Sequence, residues 1–498
     1  MPLTDVKSSC FLQLDRELGL LRQPQTRKGE AKPSALRLVV GYSGGLDSAV
    51  LLHIAAAYCK KNPEVGLEAV HIHHQLSPNA DAWQSHCEAV CAQYGISFSA
   101  KKVAVEIKGK GVESAARDAR YAVFSQVCDA DGVLLLAHHL DDQAETFFLR
   151  LMRGSGPLGL SSMKTTSHYD QIPVLRPLLA VSRAELALFA AAEDITWVTD
   201  ESNASSTYDR NYLRHEVLPL LRERWPAMTK NVSRSARLCH EAVCLSDELA
   251  EEDAARLLND AGQLDVAGLN LLSSIRIRNL LRYSLRCLGI SLPAEVVLQR
   301  VLDEVLPASP EAKPVVQWPG GEVRRYDGAL YLLAPLTLKL PVDDRQRYVL
   351  SDLDEVEGLR DAMEEIDSYQ LPWGGQVFVS ANRECLMSLR SKEGARLQGL
   401  LFSALSAQEW QMLNIGVGKS KLVVQPFNRS SNPLKHWWQQ QRTPYWFRQT
   451  QPLLYGGEAL VLVPGLFSCI SDKAPENGAE GRWVGWWPYS FESVVSAD

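Results

Sequence analysis

Residues 36–48 read Leu36-Arg37-Leu38-Val39-Val40-Gly41-Tyr42-Ser43-Gly44-Gly45-Leu46-Asp47-Ser48. The first half is a short apolar, β-branched run of the kind that forms a buried strand, and the second half turns the chain into a helical pattern. A helix that starts there points its free backbone N–H groups and its positive dipole end at one concave spot, which suits a phosphate. The spacing is neither the Walker G-x-x-x-x-G-K-[ST] nor the Rossmann G-x-G-x-x-G. A glycine pair after a strand is elsewhere often only a tight turn. Two serines and Asp47 in fixed order favour the phosphate reading here.

The same alternation continues outward. LEAVHIHH (67–74) and GVLLLAHH (132–139) read as further buried strands, with helical periodicity from Leu46 to Cys59 and from Glu113 to Val127. That rhythm predicts an α/β fold with a doubly wound parallel sheet. The 498 residues correspond to about three domains at ~100 to 200 residues each. The organisation expected is an extension over 1–35, the α/β catalytic domain over 36–225 and a mostly helical middle domain over 226–340 that ends in the β-like VVQWPGGEVRRYDGALYLLAP. An acidic linker over 341–382, a small α+β domain over 383–470 and a tail over 471–498 with tryptophans from Trp483 to Trp487 complete it.

Composition narrows the class. With 46% hydrophobic and 22% charged residues and no apolar run near the ~20 residues that cross a bilayer, a membrane partner is not expected. The amino terminus lacks the basic start, apolar stretch and small-residue site of a secretory signal, so a cytoplasmic protein is expected. Ten cysteines contain no C-x-x-C pair, and the spacings Cys87/Cys91 and Cys239/Cys244 match no zinc or disulfide pattern. A net charge of -7 does not itself suggest nucleic acid, although local charge decides that question.

A second motif, His138-His139-Leu140-Asp141-Asp142-Gln143-Ala144-Glu145-Thr146, follows another strand pattern and opens another helix. Carboxyl ends of parallel strands share one rim, so this motif should face the Ser43 loop. Asp142 and Glu145, three apart, fall on one helical face and form a pair able to hold Mg²⁺ or an ammonium group. The plainer reading is that acidic residues favour any first helical turn.

The loop resembles that of the N-type ATP pyrophosphatases, or PP-loop superfamily, which split ATP between the α and β phosphates to adenylate a substrate oxygen. Other blocks are more selective. Arg153-Gly154-Ser155-Gly156, Gly159-Leu160, Arg176-Pro177-Leu178-Leu179, Ser182-Arg183 with Glu185-Leu186, Trp197-Val198-Thr199-Asp200-Glu201-Ser202-Asn203 and Tyr208-Asp209-Arg210-Asn211-Tyr212-Leu213-Arg214 occur in an order similar to the tRNA(Ile)-lysidine synthetase family. The likeness runs from about Leu36 to Trp225, and more weakly through Trp318–Tyr326 and Leu434–Gly465.

The resemblance implies a Rossmann-like PP-loop domain followed by a helical middle domain and a carboxyl-terminal domain that both bind tRNA. It implies a carbon–nitrogen ligase that adenylates C2 of the wobble cytidine in the CAU anticodon of isoleucine tRNA. L-lysine then displaces AMP, changing codon reading from AUG to AUA and identity from methionine to isoleucine. Implied for ATP are Ser43, Gly44, Gly45, Leu46, Asp47 and Ser48; for Mg²⁺, Asp47 and Asp142; for lysine, Asp142, Glu145 and Arg117. The implied catalytic groups are Asp47, Asp142 and His138, the last as the base, with His139 as its competitor. Arg117 has a plainer reading as an exposed helix charge paired with Glu113.

For tRNA, Arg210, Arg214, Arg222, Arg224, Lys230, Arg234 and Arg237 make one basic segment. Arg278, Arg282 and Arg286 recur every four residues, a spacing suited to phosphates or simply to a solvated face. Lys435 lies among tryptophans that either stack on bases or pack in a core. Two rivals share the fold: another PP-loop ATPase, of asparagine synthetase or tRNA-thiolation type, and a non-catalytic RNA-binding protein. The sequence leaves monomer and homodimer both open.

Overall fold

Strand β1 (Arg37–Gly41) sits inside a six-stranded sheet ordered β3-β2-β1-β4-β6-β5 in the computed structural model of the chain. The structure describes residues 3–22, 36–73, 75, 77–103, 112–128, 132–169, 172–199, 209–259, 262–309 and 311–334, then 348–349, 366–370, 376–380, 403–406, 413–417, 423–424, 431–440, 443–448, 452–456, 459–463, 467–468 and 481–487. The chain divides into two compact units, Met1–Cys244 and Leu245–Asp498.

In the first unit, β2 is Gly66–His73, β3 Ser97–Lys102, β4 Gly132–Leu135, β5 Thr166–Tyr169 and β6 Ile172–Leu175. All neighbours in the sheet are parallel except the hairpin of β5 with β6. Leu38, Val39 and Val40 in β1 and the whole of β4 are buried, as expected for strands covered on both faces. Helix α2 (Leu46–Lys61) leads from β1 to β2 and α3 (Ala80–Tyr94) from β2 to β3. Helix α4 (Val112–Val127) returns the chain to β4 on the other side of β1. The direction of winding therefore reverses between β1 and β4, and the crevice at their carboxyl ends is where such sheets bind ligands. Helices α5 (Leu140–Met152), α6 (Pro157–Leu160) and α7 (Arg183–Ala192) follow. Next come α8 (Asp209–Tyr212), a π-helical turn over Leu213–Val217, and α9 (Leu218–Arg224).

The residues expected to be a mere extension include helix α1 (Leu3–Arg22). Val6, Cys10, Leu14 and Leu18, each at most 1% exposed, form a stripe at four-residue spacing that joins the main core. Polar contacts fix its register: Tyr58 donates to Asp15 at 2.7 Å and Thr166 to Glu17 at 3.2 Å. The 3.6-residue period was visible in the sequence, but its burial partner lies in α2 and α7, far along the chain.

The second unit is helical at first: α10 (Met228–Leu257) leads into it, then α11 (Val266–Leu269), α12 (Ser274–Cys287) and α13 (Glu295–Arg300). Ile277, Leu280, Leu281 and Leu285 of α12 share a core with Val316, Val323 and Leu330. Those last residues belong to the sheet β7-β10-β9-β8, formed by Leu264–Asp265 (β7), Val315–Trp318 (β8), Gly321–Tyr326 (β9) and Ala329–Leu333 (β10). Farther on, two stretches depart from expectation. The acidic linker contributes Tyr348–Val349, paired with Leu413–Val417, and Ile366–Gln370, paired with Gln376–Ser380; its other residues lie outside those described. The expected tail contributes Gly481–Trp487, which pairs with both Gln376–Ser380 and Ser403–Ser406 and so is an inner strand. Strands of two, five and seven residues leave little periodicity to read.

Trp437, Trp438 and Trp446 are buried. Trp446 packs edge-on to Tyr331 with ring centres 5.2 Å apart, and Arg448 donates to Tyr326 at 3.0 Å. Packing is therefore the role of these rings. Among the described residues no helix is long and apolar enough to cross a membrane.

Replacing Leu14 with alanine should lower unfolding stability by about 2 to 5 kcal/mol through a buried cavity, measured by denaturant titration; an unchanged midpoint would remove α1 from the core.

Candidate active site

The turn after β1 is built around Gly44. Its φ of 85° is left-handed, and a Cβ there would stand 2.8 Å from Cys87 Sγ and 3.0 Å from Val198 Cγ2. Glycine is required on both counts. Gly45 is extended and occupies the N-cap of α2. The Ser43 and Ser48 hydroxyls are 3.0 Å apart, and Ser48 donates to the Gly45 carbonyl at 3.0 Å. This fixes the loop with the α2 N-terminus open to an anion. Burial, with the Cys91 charge second, pushes the Cys87 thiol up to about 12, so it backs the loop as an apolar group.

Asp47, in the first turn of α2, has Oδ1 buried without a hydrogen-bond partner among the described residues. Its Oδ2 lies 3.6 Å from His139 Nε2. Burial alone would raise the Asp47 pKa, but the His139 hydrogen bond and charge, then Arg183 and Arg214, outweigh it and hold it below the ordinary value. His139 caps α5 and is 2% exposed. Burial depresses its pKa, yet the Asp47 hydrogen bond and the charges of Asp142, Asp47 and Asp141 raise it overall.

The expected carboxylate pair is brought together on α5, but neither member stands unpaired. Asp142 Oδ1 accepts from Arg210 at 2.9 Å and Arg214 at 3.2 Å, and Oδ2 accepts from the His139 N–H at 3.0 Å. Glu145, 1% exposed, takes Arg210 Nε at 2.8 Å on one oxygen and Arg214 Nε at 2.6 Å on the other. Arg210 and Arg214, expected on a phosphate-facing surface, are thus turned inward. A buried carboxylate keeps its charge at tolerable cost only when so paired. Asp141 likewise accepts from Arg222 and from the Arg183 N–H.

His138 presents a different environment. Its Nδ1 is buried with no hydrogen-bond partner among the described residues, and burial, then the charges of Arg176, Arg210, Arg120 and Arg117, keep its pKa well below the ordinary value. Arg117 itself is exposed and lies 5.1 Å over the Tyr121 ring. Arg176 is buried, donating to Lys164 O at 2.9 Å and Ser167 at 2.8 Å. Nothing in the spacing of the Arg176-Pro177-Leu178-Leu179 block signals that Arg176 sits near His138.

The remaining basic residues divide. Arg234 and Lys435 are exposed. Arg282 pairs with Glu295, Arg278 lies 3.7 Å from the same carboxylate, and Arg286 pairs with Asp247. The expected four-residue stripe is therefore largely matched by carboxylates from neighbouring helices. Asp200 to Tyr208 of the motif blocks fall outside the described residues.

The PP-loop domain family matches residues 20–221, so the first unit is a PP-loop domain of the ATP-using class. The TilS substrate binding domain matches 264–331 and the TilS substrate C-terminal domain 413–485. A tRNA(Ile)-lysidine synthase of Shigella flexneri is 37% identical over 90% of this chain and 96% of its own length. One of Edwardsiella ictaluri is 38% identical over 86% and 91%. The chain belongs to the tRNA(Ile)-lysidine synthase family and is a carbon–nitrogen bond-forming enzyme.

Gly44→Ala should weaken ATP binding by roughly tenfold or more, because ~1–2 kcal/mol of left-handed strain adds to the clash with Cys87; calorimetric titration checks it, and unchanged affinity would separate the loop from the nucleotide.

Proposed function

We propose that this chain joins L-lysine to C2 of the wobble cytidine in the CAU anticodon of isoleucine tRNA. In the first step the cytidine O2 attacks the α-phosphorus of ATP and pyrophosphate leaves. In the second the lysine side-chain amine bonds to C2, AMP leaves with O2, and the amine gives up a proton. The observation that carries the reading is the contact of Asp47, in the phosphate loop, with His139, which caps the helix bearing Asp142 and Glu145. Phosphate chemistry and a carboxylate pair thereby share one crevice.

Ser43 to Ser48 would cradle the phosphates with backbone N–H groups. The partnerless buried Oδ1 of Asp47 fits Mg²⁺, which usually takes one or two carboxylates beside phosphate oxygens. Asp142 fits it less well, since both its oxygens already accept hydrogen bonds. Bound there, the ion supplies neutralisation of the pyrophosphate charge.

Asp142 and Glu145 would take a lysine ammonium group in exchange for Arg210 and Arg214, freeing two guanidiniums for tRNA phosphates. His138 is neutral and has an unused nitrogen, as a proton acceptor needs. Burial, and then its arginine neighbours, make it a weak base, and bound phosphates would offset the arginine part. Arg117 reaches the same group of charges. Arg234 and Lys435 are exposed cations suited to phosphate contacts, while Arg278 and Arg282 would first have to leave Glu295.

The test is incubation with ATP, labelled lysine and isoleucine tRNA bearing CAU. Label should enter the RNA with one AMP and one pyrophosphate per lysine, and folded protein that gives none would sink the reading. Glu145→Gln should raise the lysine KM about 10- to 100-fold, reflecting ~1.5–3 kcal/mol for a charge-assisted hydrogen bond, with a smaller change for ATP.

A further inference from the structure

A helix N-cap is filled best by Ser, Thr, Asp or Asn, whose short side chains reach the N–H two or three residues on. Helix α7 follows the rule with Ser182, answered by Glu185. Helix α5 does not: its cap is His139, whose Nδ1 accepts from the Asp142 N–H at 3.4 Å. That bond is long, and the cap is completed by Asp142 Oδ2, which accepts from the His139 N–H at 3.0 Å. The ring is almost wholly buried, an environment that costs free energy unless its polar atoms find partners.

Its other edge faces two carboxylates. Nε2 lies 3.6 Å from Asp47 Oδ2 and 3.4 Å from Asp142 Oδ2. Asp47 stands in the first turn of α2, which follows β1, and Asp142 in the first turn of α5, which follows β4. The two helices are joined to adjacent strands but start independently. A single ring thus touches the carboxylate beside the phosphate loop and the carboxylate proposed for lysine.

We propose that His139 is a positioning residue whose ring sets the separation of Asp47 from Asp142, and with it the place where the ATP phosphates meet the incoming amine. The proposal rests on the reading of the crevice as a joint site for ATP and lysine. Two bond-making steps at one base tolerate little error, since a misplacement of about 1 Å costs on the order of a hundredfold in rate.

Two substitutions divide the ring between them. His139→Asn keeps an acceptor at the place of Nδ1, and so the cap, but ends short of Asp47. His139→Gln reaches the place of Nε2 but loses the cap geometry. The full-length variants are compared by thermal midpoint, by Mg-ATP affinity measured calorimetrically without tRNA, and by kcat for lysine incorporation. His139→Asn should hold its midpoint within a few degrees, lose roughly tenfold in ATP affinity and fall on the order of a hundredfold in kcat. His139→Gln should unfold earlier yet stay within about threefold of wild type in both other measures. A His139→Asn protein at least as active as His139→Gln, or unchanged ATP affinity in both, overturns the proposal. Wild-type protein that binds ATP but incorporates no lysine would instead fail the proposed function, and the ATP measurements would still judge His139.

Discussion

The parallel pairing of β1 with β4, in register from Arg37 with Gly132 to Val40 with Leu135, is the constraint on which the site depends. Consecutive elements β1, β2 and β3 run outward on one side, and the chain then crosses to β4 on the other. Two loops separated by about ninety residues of sequence consequently leave neighbouring strand ends. One opens α2 with Ser43 to Ser48 and has no side-chain cap, so its N–H groups stay open to an anion. The other opens α5 with His138 and His139 and is capped, the Leu140 N–H donating to Val181 O and the Asp142 N–H to His139 Nδ1. Leu38, Val40, Val133 and Leu135 share the core that keeps the strands in place.

Charge inside the crevice is balanced at short range. Asp47, Asp141, Asp142 and Glu145 are met by His139, Arg210, Arg214 and Arg222, and Asp141 also by the Arg183 backbone N–H. Beside these pairs, burial first and then the charges of Arg176, Arg210, Arg120 and Arg117 favour the neutral form of His138, in a chain whose net charge is -7. Arg210 and Arg214 are four residues apart across the junction of α8 with a π-helical turn, and both guanidiniums converge on Glu145. Single π turns inside α-helices recur at functional sites.

The expected strands over 36–42 and 132–139 contain the observed β1 and β4, and that over 67–74 covers β2 except Gly66. These were legible because buried parallel strands are nearly uninterrupted apolar runs. Helices α2 and α4 were legible from their periodicity. Missed were α1 as a core element and the strands at Tyr348–Val349, Ile366–Gln370 and Gly481–Trp487. Helix α1, Tyr348–Val349 and Gly481–Trp487 depend on partners distant in sequence, so no local pattern announces them, while Ile366–Gln370 pairs with the nearby Gln376–Ser380 but is too short and polar to show a period.

The sequence by itself determined which residues could do chemistry: glycines where backbone must approach a phosphate, and carboxylates three apart on one helical face. Such features are set by bond geometry and helical period, which are local. Only the tertiary structure decided which charges face one another. It turned Arg210 and Arg214 from an expected RNA surface onto Asp142 and Glu145, matched the stripe of Arg278 and Arg282 to Glu295, and put His139 between Asp47 and Asp142. Ion pairing acts across a few ångströms of space, and the distance between two residues along the chain does not specify it.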